Sequence, residues 1–327
     1  MTLGILHRSS SRILAATLCV SAALVTGCVT NTEGASTSSS GSARAEATDS
    51  AGLPAAEGGL PEGWQEIKPA KVDEIAAMVP ADIAADGKIV IGTNPPFAPA
   101  EFKDPSGNII GFDIDLAHAV ASVMGLELVV SDQDFSLILP AVSGGTVDFG
   151  ASGFTDNEER RKNYDFVNYF NAGIQWASAP DNPVNPDDAC GLTVAVQRTT
   201  VSDTEDVTRR SEQCEKDGKK PINKIAFETS DLAANAAILG KADAFSADSP
   251  ITAWAVERSN GRIALTGDIF DAAHYGWPVK KGSELAPALA AALQHLIDTG
   301  DYATIMNQWG LTDGHVSEAL INGEPVK

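Results

Sequence analysis

Between Lys88 and Gly150 the chain reads Lys88-Ile-Val-Ile-Gly92, a proline-rich loop, Phe112-Asp-Ile-Asp-Leu-Ala-His-Ala-Val-Ala-Ser-Val-Met124, Leu126-Glu-Leu-Val-Val130, Leu137-Ile-Leu-Pro-Ala-Val142 and Val147-Asp-Phe-Gly150. Lys88–Gly92, Leu126–Val130 and Val147–Gly150 are short runs rich in β-branched or aromatic residues bounded by turn formers, and are predicted as strands. Phe112–Met124 repeats its apolar residues at helical spacing, with Asp113 as the predicted N-cap and Gly125 at the stop. Leu137–Val142 is predicted as a second helix, ended by Gly144-Gly145. Strands alternating with helices over such short connections mean α/β layers with largely parallel strands.

The same alternation restarts downstream. Leu192–Val196, Ile225–Glu228 and Ala242–Ser246 are predicted strands, with a helix over Leu232–Leu239 between Asp231 and Gly240. Separating the two series is Ala179-Pro-Asp-Asn-Pro-Val-Asn-Pro186, whose three prolines mark a lobe boundary. A late strand, Gly276–Val279, and helices over Glu284–Thr299 and Tyr302–Trp309 then complete one of the lobes. The expected organisation is a first lobe over 86–180, a second over 181–275, and a return to the first over 276–320.

Upstream, His7, Arg8 and Arg12 precede the apolar stretch Ile13–Thr26, which is too short for the roughly 20 residues a bilayer span needs. It reads as the core of an export signal. That signal closes on Val25-Thr26-Gly27-Cys28, which resembles the lipobox of bacterial lipoproteins, so residues 1–27 are expected to be removed and Cys28 lipidated. The competing reading, a chance Gly-Cys at the end of an ordinary signal peptide, lacks the small-residue cleavage pattern such peptides carry. From Val29 to about Gly63 there is almost nothing to bury, and 28–85 is expected to be a flexible linker, with one weakly amphipathic stretch at Val72, Ile75, Ala76 and Val79.

The composition of the 327 residues, 43% hydrophobic and 20% charged, is that of a globular protein, and 23 basic against 44 acidic residues give a formal charge of −21. Loss of Arg8 and Arg12 with the leader would take −21 to −23. Such a surface repels phosphate backbones, so nucleic acid is excluded as a partner. In an oxidising compartment Cys190 and Cys214, the two cysteines left in the folded part, are expected to pair. Two cysteines without a nearby histidine do not make a metal site.

The chain has no G-x-S-x-G elbow, no H-E-x-x-H, no G-x-x-x-x-G-K-[ST] phosphate loop and no G-x-G-x-x-G. His118, His274, His295 and His315 are scattered, with His118 and His295 read as surface or half-buried helix residues. Asp113 and Asp115 stand two apart and so do not face each other on a helix; capping is the better account of them.

Gly92-Thr-Asn-Pro-Pro-Phe-Ala-Pro-Ala-Glu-Phe102 with Gly111-Phe-Asp-Ile-Asp-Leu116 resembles the opening of solute-binding family 3, the polar amino acid binding proteins of bacterial ABC importers. The likeness continues through Leu139–Gly144, Val147-Asp148, Ser152-Gly-Phe-Thr155, Arg160 and Asp165-Phe166. It resumes at Val194–Gln197, Thr200, Ala242-Asp-Ala244, Asp248-Ser-Pro250 and Tyr275-Gly276, and runs to Trp309-Gly310. It implies a two-lobed periplasmic-binding-protein-like fold of type II, each lobe a mixed, mostly parallel sheet flanked by helices with the ligand between them. It also implies a monomer that needs no cofactor and hands a free amino acid to a membrane permease and its ATPase.

The resemblance assigns roles that physical need supports. A free amino acid carries a carboxylate and an ammonium, each costly to desolvate unless it meets an opposite charge. Arg160 matches the family's carboxylate-binding arginine, whose planar fork meets two oxygens at once, and Asp248 matches the acid of the second lobe that receives the ammonium. Ser152, Gly153 and Thr155 match positions supplying backbone and hydroxyl contacts, Phe97 and Phe135 match walls of the site, and Thr200 matches a turn that adds donors to the carboxylate. Each has a plainer alternative: Arg160 stands in the charge cluster Glu158-Glu159-Arg160-Arg161-Lys162, Asp248 before Ser-Pro is a good helix cap, and Phe97 and Phe135 suit a core. Asn94 is neutral where relatives are often acidic, which disfavours a cationic ligand side chain. With Gln197, it offers hydrogen bonds to a polar one. Thr199 stands where relatives carry glycine before the threonine, so this turn is expected to differ in backbone geometry. The alternative function on the same scaffold is a cyclohexadienyl dehydratase, or a receptor that senses without transport.

Overall fold

A computed structural model describes residues 59–326. The export signal, Cys28 and most of the expected linker lie outside them.

The chain opens with two short helices, α1 (Asp73–Ala76) and α2 (Ala81–Asp86), before β1 (Lys88–Thr93), β2 (Phe102–Lys103), β3 (Ile109–Ile110) and α3 (Phe112–Met124). There follow β4 (Glu127–Asp132), α4 (Phe135–Gly144), β5 (Phe149–Gly150), α5 (Glu158–Arg161) and the long β6 (Tyr164–Ser178). The second series is β7 (Thr193–Gln197), α6 (Thr208–Lys216), β8 (Asn223–Phe227), α7 (Ser230–Ile238), β9 (Ala244–Asp248) and α8 (Ser249–Arg258). The chain then returns through β10 (Ala264–Lys280) to α9 (Leu285–Thr299), α10 (Asp301–Gln308), β11 (Leu320–Ile321) and β12 (Glu324–Pro325).

One sheet in the order β4-β1-β5-β10-β6-β9-β7-β8 runs through both lobes. β1 is parallel to β4 and β5, and β7 is parallel to β8 and β9, as the alternation of elements requires. The two halves are joined by β6 and β10, antiparallel to each other from Tyr164 opposite Lys280 to Ser178 opposite Ala264. The upper half of β6, Ile174–Ser178, already pairs with β9, and Ile174, Trp176 and Val184 share one apolar core with Val194 and Val196. The crossing between lobes therefore lies within β6 and β10, and the three-proline segment expected at the boundary is part of the second lobe.

Two further expectations change. Residues 64–86, placed with the flexible linker, are folded on the first lobe: Trp64, Ile67, Val72, Ile75 and Ile83 pack against its core. Asp113 does not cap α3, whose N-cap is Gly111 at φ 141. A Cβ at that glycine would lie 2.0 Å from the carbonyl oxygen of Ala100, so the turn admits no side chain. Asp113 instead turns its carboxylate into the protein, and Asp115 accepts from the indoles of Trp64 and Trp309 at 2.7 Å each. Gly125 at φ 73 ends α3 as expected. His118 is exposed and His295 half-buried. Cys190 and Cys214 form a disulfide that ties α6 to the segment before β7.

Candidate functional site

The ends of β1, β5, β7 and β9 and the loops after them converge where the two lobes meet, the usual place for a ligand in a sheet of parallel strands. After β5 the chain passes through Ser152, Gly153, Phe154 and Thr155 and enters α5. Asn157 caps that helix, its Oδ1 accepting from the backbone N–H of Arg160 at 2.9 Å.

The cluster around Arg160 separates into three different environments. Arg161 donates to both oxygens of Asp156, at 2.5 and 2.8 Å, and Lys162 pairs with Glu159. Arg160 has no carboxylate within ion-pair distance among the described residues. Its Nη1 donates to the carbonyl of Thr155 at 2.8 Å, and its Nη2 reaches the carbonyl of Thr199 in the second lobe at 3.3 Å. Its guanidinium lies 5.5 Å from the centroid of Phe154 and 5.9 Å from that of Phe135, two rings stacked at 4.5 Å. Burial works against its charge; Asp248 is first among the groups that hold it, followed by Glu205 and Asp156.

Asp248 ends β9 in the opposite lobe. It occupies the N-cap position of α8, as its sequence context allowed, yet its side chain makes no capping bond. Its Oδ2 accepts from the Tyr275 hydroxyl at 2.7 Å. Burial lifts its pKa to about 6, with the Tyr275 hydrogen bond and the Arg160 charge holding it back. Arg160 and Asp248 thus feel each other across the cleft without forming an ion pair.

The remaining expected residues are found on the segments beside this pair. Gly153 sits at φ 54, where a Cβ would come within 2.7 Å of the Phe97 ring, so Phe97 and Gly153 are in close contact. Ser152 donates to Glu101 and its Oγ accepts from the backbone of Asn94 at 3.3 Å. Asn94 donates to the carbonyl of Gln133 at 2.9 Å and accepts from Nε2 of Gln197, across the cleft, at 2.8 Å. The Oε1 of Gln197 is buried with no protein partner. The hydroxyl of Thr200 donates to the carbonyl of Gln197 at 2.7 Å and accepts from the backbone N–H of Asp203 at 3.3 Å, inside its own lobe. Thr199 adopts φ 62, in the left-handed region that favours glycine.

Three neighbours position the site without having been expected near the ligand. Asp113 accepts from the backbone N–H of Gly153 at 2.8 Å and so fixes the loop that carries Ser152 and Thr155. Glu101, fully buried, holds Ser152. Burial pushes its carboxyl well above the usual range, and the nearby charge of Asp113 adds to this. Tyr275, opposite Phe170 in the β6–β10 ladder, orients Asp248. Glu101 and Tyr275 lie in the quoted motifs, but a motif does not say where a side chain points.

Residues 89–312 match the bacterial extracellular solute-binding proteins, family 3. Arginine-binding protein ArgT of Corynebacterium glutamicum is 58% identical over 272 residues, covering 83% of this chain and 90% of that protein. Among solved structures, a mutant of ArgBP from T. maritima superposes with a TM-score of 0.62 at 31% identity, covering 70% of this chain and 97% of the other. An ancestral arginine-binding protein bound to glutamine gives 0.62 at 31% identity over 69% of this chain and 98% of the other. With the fold, the disposition of its sheet and two thirds of its length matched, the chain belongs to the bacterial extracellular solute-binding proteins of family 3.

Proposed function

We propose that this protein binds a free amino acid, L-arginine first among them, in the cleft between its lobes, and delivers it to a membrane permease and its ATPase. One observation carries the reading: Arg160, alone in its cluster without a carboxylate, faces Asp248 from the other lobe with no ion pair between them. An amino acid placed there supplies what both lack, its carboxylate to the Arg160 fork and its ammonium to Asp248. Because the two residues belong to different lobes, the ligand bridges the lobes and favours their closure.

The choice of arginine rests on the likeness to ArgT, and it departs from the expectation set by the neutral Asn94. What favours it in the protein is a surplus of acceptors. Asp248 stands at the cleft beyond Arg160, and the free Oε1 of Gln197 beside Asn94 offers an acceptor to a donor-rich side chain. Ser152, Gly153, Thr155, Phe97 and Phe135 shape the first-lobe wall. Export and lipid attachment through Cys28 complete the proposal and place the cleft outside the membrane.

A thermal-shift screen of the twenty amino acids tests it. At 100 times its dissociation constant a ligand adds about 2.7 kcal/mol to the stability. L-arginine is expected to give the largest shift; a larger shift with another amino acid replaces arginine, and no shift with any of them overturns the amino acid reading. Prephenate and arogenate are expected to survive incubation unchanged, and their turnover would establish the dehydratase alternative.

A further inference from the structure

Asn157 uses both ends of its amide. While its Oδ1 caps α5, its Nδ2 donates across the cleft mouth to Oε1 of Glu205 at 2.6 Å. Glu205 lies in a π-helical turn, Ser202–Val207, of the second lobe and is exposed at the rim. Its charge is second only to that of Asp248 among those that hold the Arg160 guanidinium. The contacts from Asn94 to Gln197, from Arg160 to Thr199 and from Tyr275 to Asp248 are made within the cleft, where a ligand competes for the same groups. The Asn157–Glu205 contact stands outside it.

We propose that Asn157 and Glu205 form a latch that sets ligand affinity without touching the ligand. Because the partners sit on different lobes, opening the cleft separates them, so their hydrogen bond belongs to the closed state alone and stabilises it. Because Asn157 also caps the helix that carries Arg160, the latch ties the carboxylate anchor to the second lobe at the moment of closure. Breaking it speeds ligand escape and leaves encounter nearly unchanged. The inference rests on Arg160 being that anchor.

A charge-swap cycle tests it, using calorimetry and stopped-flow dissociation with L-arginine as the probe and circular dichroism as the check on folding. Asn157→Asp keeps an equally good cap but sets a carboxylate against Glu205, and is expected to raise Kd by about fivefold, almost wholly through faster dissociation. Glu205→Gln keeps an acceptor for Asn157 and stays within about twofold of the parent. In the double variant the new glutamine donates to the new carboxylate, and affinity returns to within about twofold of the parent. A residue that only capped α5 would not respond to Asn157→Asp, nor be rescued from across the cleft. Parent-like binding by Asn157→Asp, or a double variant as weak as that single one, overturns the latch. If the screen replaces arginine by another amino acid, the arginine reading falls and the same cycle with that amino acid decides the latch.

Discussion

The hydroxyl of Tyr275, on the strand that returns to the first lobe, donates to Oδ2 of Asp248 in the second at 2.7 Å. The contact favours the ionised carboxylate in a setting where burial favours the protonated one, and the balance leaves Asp248 at about 6. If the ligand ammonium requires the carboxylate, affinity is constant above neutrality and falls as pH drops through 6, by about tenfold for each further pH unit. Tyr275→Phe removes the hydrogen bond and moves that fall upward by about one pH unit, taking 1.5 kcal/mol as the lower bound for a bond to a charged group. Calorimetry from pH 5 to 8 checks both; a flat profile removes Asp248 from the ammonium site.

Ligand-free stability has the opposite slope. Asp248, Glu101, Asp113, Asp115 and Asp148 are all lifted, chiefly by burial. A carboxyl raised on folding binds its proton more tightly in the folded state, so its contribution to stability declines as pH rises from the unfolded value through the folded one. Asp165 and Asp104 are lowered and act in reverse, but only below about pH 4, whereas His118, lowered chiefly by desolvation, opposes the five carboxyls within the interval as a single group. The ligand-free protein is therefore expected to melt at a higher temperature near pH 5 than near pH 7.5, whereas binding strengthens over the same interval. Melting curves that rise in parallel with affinity would contradict the burial of these groups.

What the sequence disclosed and what it hid follow from the range of the interactions. α3 was legible to the residue because its apolar period and the glycine that ends it are local. β6 and β10 were not, apart from Gly276–Val279. They run 15 and 17 residues through two lobes, so their facing environment changes midway, and β10 is interrupted by register shifts near Phe270 and Tyr275. Asp113 was misread because a first-turn aspartate looks the same whether it caps its helix or, as here, holds Gly153 forty positions away. Arg160 and Asp248 were singled out through the resemblance of the motifs around them to solute-binding family 3. Glu101 and Tyr275, whose work is to position others, have no such signature.

Gly111 offers a test of the frame beneath the cleft. Its φ of 141 and the 2.0 Å approach to the Ala100 carbonyl leave no room for a methyl group, and the crowded atoms are backbone. Gly111→Ala is expected to destabilise by roughly 3 kcal/mol or more, combining backbone strain with displacement of the Ala100 turn. Denaturant unfolding measures it, and a loss below about 1 kcal/mol, the cost of an ordinary substitution, would mean that this turn is not built as described.

Membrane attachment is tested at Cys28. Acylation needs its thiol, and an acyl chain contributes about 0.8 kcal/mol for each buried methylene group. Cys28→Ser is therefore expected to leave the membrane fraction, either shed or incompletely processed. Continued anchorage of that variant would exclude Cys28 as the attachment point.

The charges at the two ends of the cleft yield the last test. Arg160 stacks on Phe135 and Phe154 and is steered by two carbonyls, one in each lobe, so its fork is held in place before a ligand arrives. Arg160→Ala leaves a ligand carboxylate buried without a partner, and Asp248→Asn does the same to the ammonium; losses of about 2–5 kcal/mol are usual for such truncations. Each is expected to weaken binding by at least about thirtyfold, roughly 2 kcal/mol. Arg160→Lys separates charge from geometry: it keeps the cation but cannot present two parallel donors, so it should fall between parent and alanine variant. Folding is expected to change little, because removing Arg160 from the ligand-free protein deletes a desolvated charge along with the two hydrogen bonds and two ring contacts that hold it. Variants that keep their melting temperature and lose the ligand place both residues at the ligand's two ends; folded variants that bind like the parent would remove them from the site.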